Sequence, residues 1–293
     1  MNTKSLILCI LLILSSNIAR SQKTYNLESP QKNINITVTA DKDFIKYSVK
    51  HGNTVIIKNS PISMELSDGK VLGASPIVKS YKNESVNEKI KSPFYKKESV
   101  ENNYNELTIN LKGNYSIQFR VFDDGIAYRF CTKFPKPITI VKENITYNFD
   151  EDYTAYIPYV NPSKGPGDNI SKQFFNSFEN TYTIAPISGM KNDKLAFLPI
   201  LISLKDNKKI VITEANLEDY PGTYLTKNKT NKNSIVGLHA KYPKVEEQGG
   251  YNNLQYIVKE REDYIAKVQG TREFPWRCMI ISENDKELLN NDM

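Results

Sequence analysis

The sequence predicts an all-β protein, and three observations predict it. Aromatic and β-branched residues are abundant, with 18 Tyr and 12 Phe, while Ala is scarce. Short stretches alternate apolar and polar residues with a period of two. Asn, Lys, Asp and Gly punctuate them roughly every eight to twelve residues, the spacing typical of a sandwich. No internal repeat and no helical heptad interrupts that pattern.

Residues 1–21 have the layout of a secretory leader: Lys4, an apolar run from Leu6 to Leu14, and Ala19-Arg20-Ser21 as a small-residue cleavage site. The run is too short to span a bilayer, and no later segment has the length or hydropathy of a membrane helix. The mature chain, 22–293, is expected to be secreted or periplasmic. Removing Lys4 and Arg20 leaves 37 basic against 33 acidic residues and lowers the net charge from +6 to +4. An excess that small and that dispersed does not suit nucleic acid, which needs a concentrated basic face. Cys131 and Cys278 each lie in an apolar strand-like run. Two cysteines form no disulfide framework, and neither has a His nearby in sequence to activate a thiol.

In chain order, Ile34–Ala40 and Phe44–Lys50 alternate cleanly, followed by Thr54–Ile57 and Ser60–Leu66, as in a meander of antiparallel strands. Residues 80–103 are rich in Lys, Glu, Asn and Ser and read as a surface excursion with one or two edge strands. Asn105–Lys112 resumes the sheet. The segment from Ile117 to Cys131 reads as a hairpin closed by the acidic-plus-glycine cluster Asp123-Asp124-Gly125. With Asp124-Gly125 as the turn, Arg120 faces Arg129. Such a like-charged pair wants a carboxylate, a ligand or a partner surface unless both groups reach water.

Strand patterns resume over 139–141 and 144–149, and Tyr153–Tyr159 is aromatic and extended. Residues 161–168, with Pro162, Gly165, Pro166 and Gly167, form a long loop of the kind that carries binding residues on a rigid sheet. Glu179 stands among aromatics after it. An apolar run, 195–204, and a short buried strand, 209–213, lead to Glu214. Asp219-Tyr220-Pro221-Gly222 is a tight turn, with Pro setting φ and Gly allowing φ > 0. Residues 259–263 read as a charged turn between weak strands. The only Trp opens the buried strand Trp276–Ile281, where it is expected to anchor packing.

Four stretches, F-R-V-F-D-D-G-I-A-Y-R-F, S-F-E-N-T-Y-T, E-A-N-L-E-D-Y-P-G-T-Y-L and F-P-W-R-C-M-I-I, resemble the N-terminal domain of glycoside hydrolase family 97 in order and spacing. The likeness runs from about Ser29 to Asp292. It implies a large antiparallel β super-sandwich similar to the galactose mutarotase fold. That domain packs on a catalytic (β/α)8 barrel in a calcium-dependent exo-α-glycosidase of the α-glucosidase or α-galactosidase type, whose substrate is an α-linked oligosaccharide. By resemblance, Glu179 is a calcium ligand lent to a site the barrel otherwise builds. Glu214, Asp219, Tyr220 and Arg277 match the family pattern and are candidates for the interdomain face or substrate cleft.

The barrel and its two catalytic carboxyls are missing from the matched pattern, so the chain alone is expected to be catalytically silent. Two other functions compete. A freestanding carbohydrate-binding module would stack sugars on Tyr153, Tyr156, Phe174 and Phe178. An aldose epimerase would need an acid–base pair built on His51 or His239, both of which fall in turn-like polar surroundings.

Overall fold

A computed structural model describes residues 22–161, 170–174 and 179–293. The predicted leader, most of the predicted 161–168 loop, and Phe178 lie outside the described residues. The first strands are β1 (Lys23–Glu28), β2 (Ile34–Ala40), β3 (Ile45–His51), β4 (Thr54–Leu66), β5 (Val71–Leu72), β6 (Val78–Lys91) and β7 (Ser99–Leu111). Next come β8 (Tyr115–Phe122), β9 (Gly125–Lys133), β10 (Ile138–Asn144), β11 (Thr146–Asn148), β12 (Thr154–Ile157), helix α1 (Ile170–Gln173) and β13 (Thr183–Pro186). The remainder is β14 (Ile200–Ser203), β15 (Lys209–Ala215), β16 (Thr223–Lys227), β17 (Ser234–His239), β18 (Pro243–Gly249), β19 (Gln255–Arg261), β20 (Ala266–Val268), β21 (Thr271–Glu273), β22 (Trp276–Ser282) and α2 (Asp285–Leu289).

The fold is all-β and its strand pairs are antiparallel, as the alternation predicts. One layer is a seven-stranded sheet ordered β1-β2-β3-β4-β10-β20, with β5 on β4. The opposing layer is a ten-stranded sheet ordered β13-β12-β14-β15-β22-β9-β8-β7-β6, with β21 on β9. A three-stranded sheet, β11-β17-β16, continues the first layer through the Ile57–Phe149 bridge.

Strict alternation decides what the layers share. In β2 and β8 every second residue is buried, so Ile34, Ile36 and Val38 face Ile117, Phe119 and Val121 across one core. Tyr47 of the first layer meets Phe119 and Tyr128 of the second, with ring centroids 6.4 and 5.4 Å away. These three rings are among the most deeply buried side chains, and aromatic pairs at such distances add to the apolar term.

The structure departs from the sequence reading at three places and extends it at a fourth. The edge strands expected over residues 80–103 belong to a single long hairpin, β6–β7, paired from Val78–Leu111 to Lys91–Ser99, with β6 at the sheet edge. Most of β6 is exposed. With no core to face, it carries no apolar alternation for the sequence to show. Thr54–Leu66 is one strand, with the kink taken up at Asn59 by a positive φ of 46°. The predicted charged turn at 259–263 is largely strand, because β19 runs to Arg261 in a solvent-exposed hairpin with β18. Finally, the hairpin register is shifted from the one expected. Phe122 pairs with Gly125, leaving Asp123-Asp124 as the turn, so Arg120 pairs with Ala127 and Arg129 with Gln118. Gly125 serves the strand rather than the turn: a Cβ there would lie 2.6 Å from the Met279 carbonyl oxygen.

Candidate functional site

Charged candidates gather in two places, one between the layers and one on the outer face of the ten-stranded sheet. The inner group begins with a cross-strand pair, Glu214 on β15 directly opposite Arg277 on β22. Both turn inward with Ile212 and Met279, which alternate on the same face. The Arg277 Nη1 donates to Glu214 Oε2 at 2.5 Å. Its Nε and Nη2 donate to the two oxygens of Glu143, at 2.9 and 2.6 Å. Glu143 belongs to β10, so this two-pronged bond crosses the core from layer to layer. The side chains of Arg277 and Glu143 are 1% and 3% exposed.

The stretch after Glu214 folds to complete this group. Positive φ at Asn216 (57°) and Asp219 (46°) lets the chain double back. The Thr223 amide then donates to the Glu214 carboxylate at 3.1 Å, and the Thr223 hydroxyl meets His239 Nε2 at 3.0 Å. Tyr220 drops inside, its ring edge-on to His239 and Phe274 and 5.9 Å from the Arg277 guanidinium. Its buried hydroxyl faces Glu143 without forming a well-aligned hydrogen bond. Asp219 stays exposed, and its carbonyl oxygen, with that of Glu218, accepts from Arg272.

Burial and partners set the charge states. Burial alone would raise the Glu143 carboxyl, but the Arg277 guanidinium and its hydrogen bonds outweigh that and hold it below the usual range. Burial tends to strip the proton from Arg277, and the carboxylates of Glu143 and Glu214 more than reverse this. Burial pushes His239 down to about 4, so it is neutral at physiological pH. Two carboxylates locked on one enclosed guanidinium cannot shuttle protons to a substrate. Of the sequence candidates, Glu214, Tyr220 and Arg277 therefore sit within the sandwich. Both histidines are also buried at strand ends, 5% and 8% exposed, rather than in polar turns. Sequence reasoning missed Glu143: its partner is 134 residues away, and nothing local marks it.

The outer group is built from β7, β8, β9, β21 and β22. Trp276 is flanked by two guanidinium groups, Arg120 at 4.6 Å and Arg129 at 4.2 Å from its ring. Each arginine has the carboxylate that its like-charged neighbour demands. Arg120 Nε donates to Glu106 at 2.7 Å, and Arg129 Nη1 reaches Glu273 at 2.7 Å. A cleft of about 730 Å³ opens here, bordered by Arg120, Trp276, Asp124 and Met293 among others. Both cysteines are free; burial raises the Cys131 thiol to about 11 and the Cys278 thiol to about 12.

Glu179 is exposed and leads into β13, the edge strand of the ten-stranded sheet. The Asn161 side-chain amide donates to its carbonyl oxygen at 3.1 Å, which ties together the two ends of the segment 161–179. Gln173 pins the intervening α1 to the body, donating to the Asp193 carbonyl at 2.7 Å and accepting from the Leu195 amide at 2.9 Å. Among the described residues, no group of three or more His, Cys, Asp or Glu could hold a metal. The aromatics weighed as a sugar platform do not share a face. Tyr153 is in the core, Tyr156 points outward from β12, and Phe174 packs edge-on against Tyr224.

Comparison with known proteins adds the context this geometry lacks. The family model described as Glycosyl-hydrolase 97 N-terminal matches residues 27–293. A retaining alpha-galactosidase from Bacteroides thetaiotaomicron is 43% identical over 283 residues, which is 97% of this chain and 42% of the relative. The chain thus spans about two-fifths of that relative's length. Among solved structures, a glycoside hydrolase family 97 enzyme from Pseudoalteromonas sp. strain K8, in complex with acarbose, superposes with a TM-score of 0.72 at 23% identity. That match covers 92% of this chain and 37% of the other. A beta-arabinopyranosidase has a TM-score of 0.71 at 18% identity, over 89% and 40% of the two chains. These last two likenesses carry the fold alone.

Proposed function

The chain belongs to the glycosyl-hydrolase 97 N-terminal family, and on that premise we propose that it is the accessory domain of a secreted, calcium-dependent exo-α-glycosidase. In this reading it packs on a catalytic (β/α)8 barrel and lends the Glu179 carboxylate to a calcium site shared between the two. The 43% identity to a retaining alpha-galactosidase makes an α-linked galactoside the first substrate to test.

The chemistry of hydrolysis supports a division of labour. A retaining glycosidase needs two free carboxyl groups about 5–5.5 Å apart across the sugar. Among the described residues, Glu143 and Glu214 form a close carboxylate pair, but Arg277 binds both and leaves them little exposed. In this reading the acid and the nucleophile come from the partner domain.

Calcium takes about six to eight oxygen ligands. One exposed glutamate can supply one or two of these and cannot hold the ion alone. The residues present therefore fit a contributor to a shared site, not a complete one. Bound calcium would supply fixed positive charge at the sugar. This chain's part is to hold Glu179 at the β13 edge, through the Asn161 clasp, so that its side chain can reach across.

The observation that carries the reading is the exposure of Glu179 on a matched family stretch. The experiment is a chimera in which this chain replaces the matching region of the Bacteroides thetaiotaomicron enzyme. We expect hydrolysis of an aryl α-galactoside by the chimera, none by this chain alone, and a calcium requirement at least ten-fold higher in the Glu179→Gln chimera. An unchanged calcium requirement would remove Glu179 from the site.

A further inference from the structure

The outer face of the ten-stranded sheet carries an apolar row that the sandwich core does not use. Ile184 pairs with Tyr156, Tyr156 with Leu201, Leu201 with Val211, Val211 with Ile280, and Ile280 with Gly125. Residues directly opposite in an antiparallel ladder point to the same side. These six positions therefore form one line across β13, β12, β14, β15, β22 and β9. At ordinary strand spacing the line is roughly 24 Å long.

It is the outer side, because the alternate residues Ile200, Ile202, Ile210, Ile212 and Met279 are all at most 1% exposed in the core. Ile184 is 63% exposed, and Tyr156, Leu201, Val211 and Ile280 are partly exposed. A sheet face meant for water alternates to polar residues. This protein follows that rule elsewhere: Asn35, Thr37 and Thr39 of β2, and Lys46, Ser48 and Lys50 of β3, face outward. The row carries no charge at all. On the same face lie Cys278, Ala127 and Trp276 with its two arginines, the Trp, Tyr and Arg composition found at the centre of interfaces.

We propose that this row is the docking surface for the catalytic domain of the same enzyme. The inference deepens the function proposed above and rests on it. Two features point to the occupant. Glu179, the carboxylate offered to the shared site, stands five residues before Ile184 at one end of the row. The curated relative is more than twice as long as the part matched here, so a large further body is available to cover the face. A domain seated on the row would meet Glu179 at one edge.

Hydroxyl-radical footprinting, which reads side-chain exposure directly, tests this on the 293-residue chain and on the chimera with the Bacteroides thetaiotaomicron enzyme. Modification of Ile184 and Tyr156 should fall at least three-fold in the chimera, while Tyr81 on β6 and Tyr251 beyond β18 keep their rates. Val211→Lys should leave the unfolding midpoint of the 293-residue chain within a few degrees yet lower chimera activity at least ten-fold. Thr37→Lys, on the other outer face, should change neither the midpoint by more than a few degrees nor the activity. An active chimera with Ile184 and Tyr156 still fully modified overturns the docking surface and leaves the accessory function standing. A chimera with the row protected but no glycosidase activity overturns the function and keeps the surface.

Discussion

Arg277 and Glu143 face each other across the core and join the two layers of the sandwich by a two-pronged ion pair. Neither side chain is more than 3% exposed. Taking both charges out of water is costly, and the geometry must be kept whole to offset that cost. Arg277→Leu strands Glu143 and Glu214 without a cation. We expect a loss of roughly 3–5 kcal/mol, read as a lower urea midpoint. Arg277→Lys should not restore it, since a point charge cannot match a planar fork.

The same cluster makes stability depend on pH through His239. Its folded value of about 4 lies below its ordinary 6.5, so the unfolded chain takes up a proton first as pH falls. Stability is complete above about 6.5 and is lost progressively down to about 4. The total is about 3 kcal/mol for a shift of that size. Glu143, also held low, adds a further loss once pH falls below the ordinary carboxylate range. Unfolding midpoints measured from pH 7 to 4 should show the slope, and His239→Gln should reduce it, leaving the part contributed by His51, whose pKa burial also lowers.

Gly73 and Gly69 offer a matched pair. Both have a positive φ, 87° and 85°. A Cβ on Gly73 would come within 2.6 Å of the Ile62 carbonyl oxygen, while Gly69 has open space. Gly69→Ala should cost about 1 kcal/mol, from backbone conformation alone. Gly73→Ala should cost at least about 2 kcal/mol, because the β4 backbone must also move. Denaturation of the two variants side by side checks the order.

Trp276 holds two arginines over an outer sheet face. Trp276→Leu removes both cation–π contacts and part of the packing under Met293, and should cost about 2 kcal/mol. Far-UV circular dichroism is the readout, because the variant has no Trp left to report.

Both thiols are held protonated by burial, so neither Cys131 nor Cys278 should react with a disulfide reagent at pH 7.5 while folded. Both should react within minutes in denaturant. Fast labelling of the native chain would show that the outer face opens.

The all-β class, the individual strands with one wet face, the hairpin around Asp123-Asp124 and the family likeness were all legible in the residues, because alternation and turn chemistry are local. What tertiary structure alone decided is where β9 and β22 point their side chains. Both strands are buried on nearly every residue, so their period does not say which set meets the core. Packing of the first layer against them chose Arg277 and Tyr128 for the inside and left Trp276, Ala127 and Cys278 outside. It also supplied Glu143, which no spacing could have matched to Arg277. The turn moved by one residue from its expected place because only glycine lets β9 pass so close to the Met279 carbonyl, a contact made by a strand more than 150 residues away.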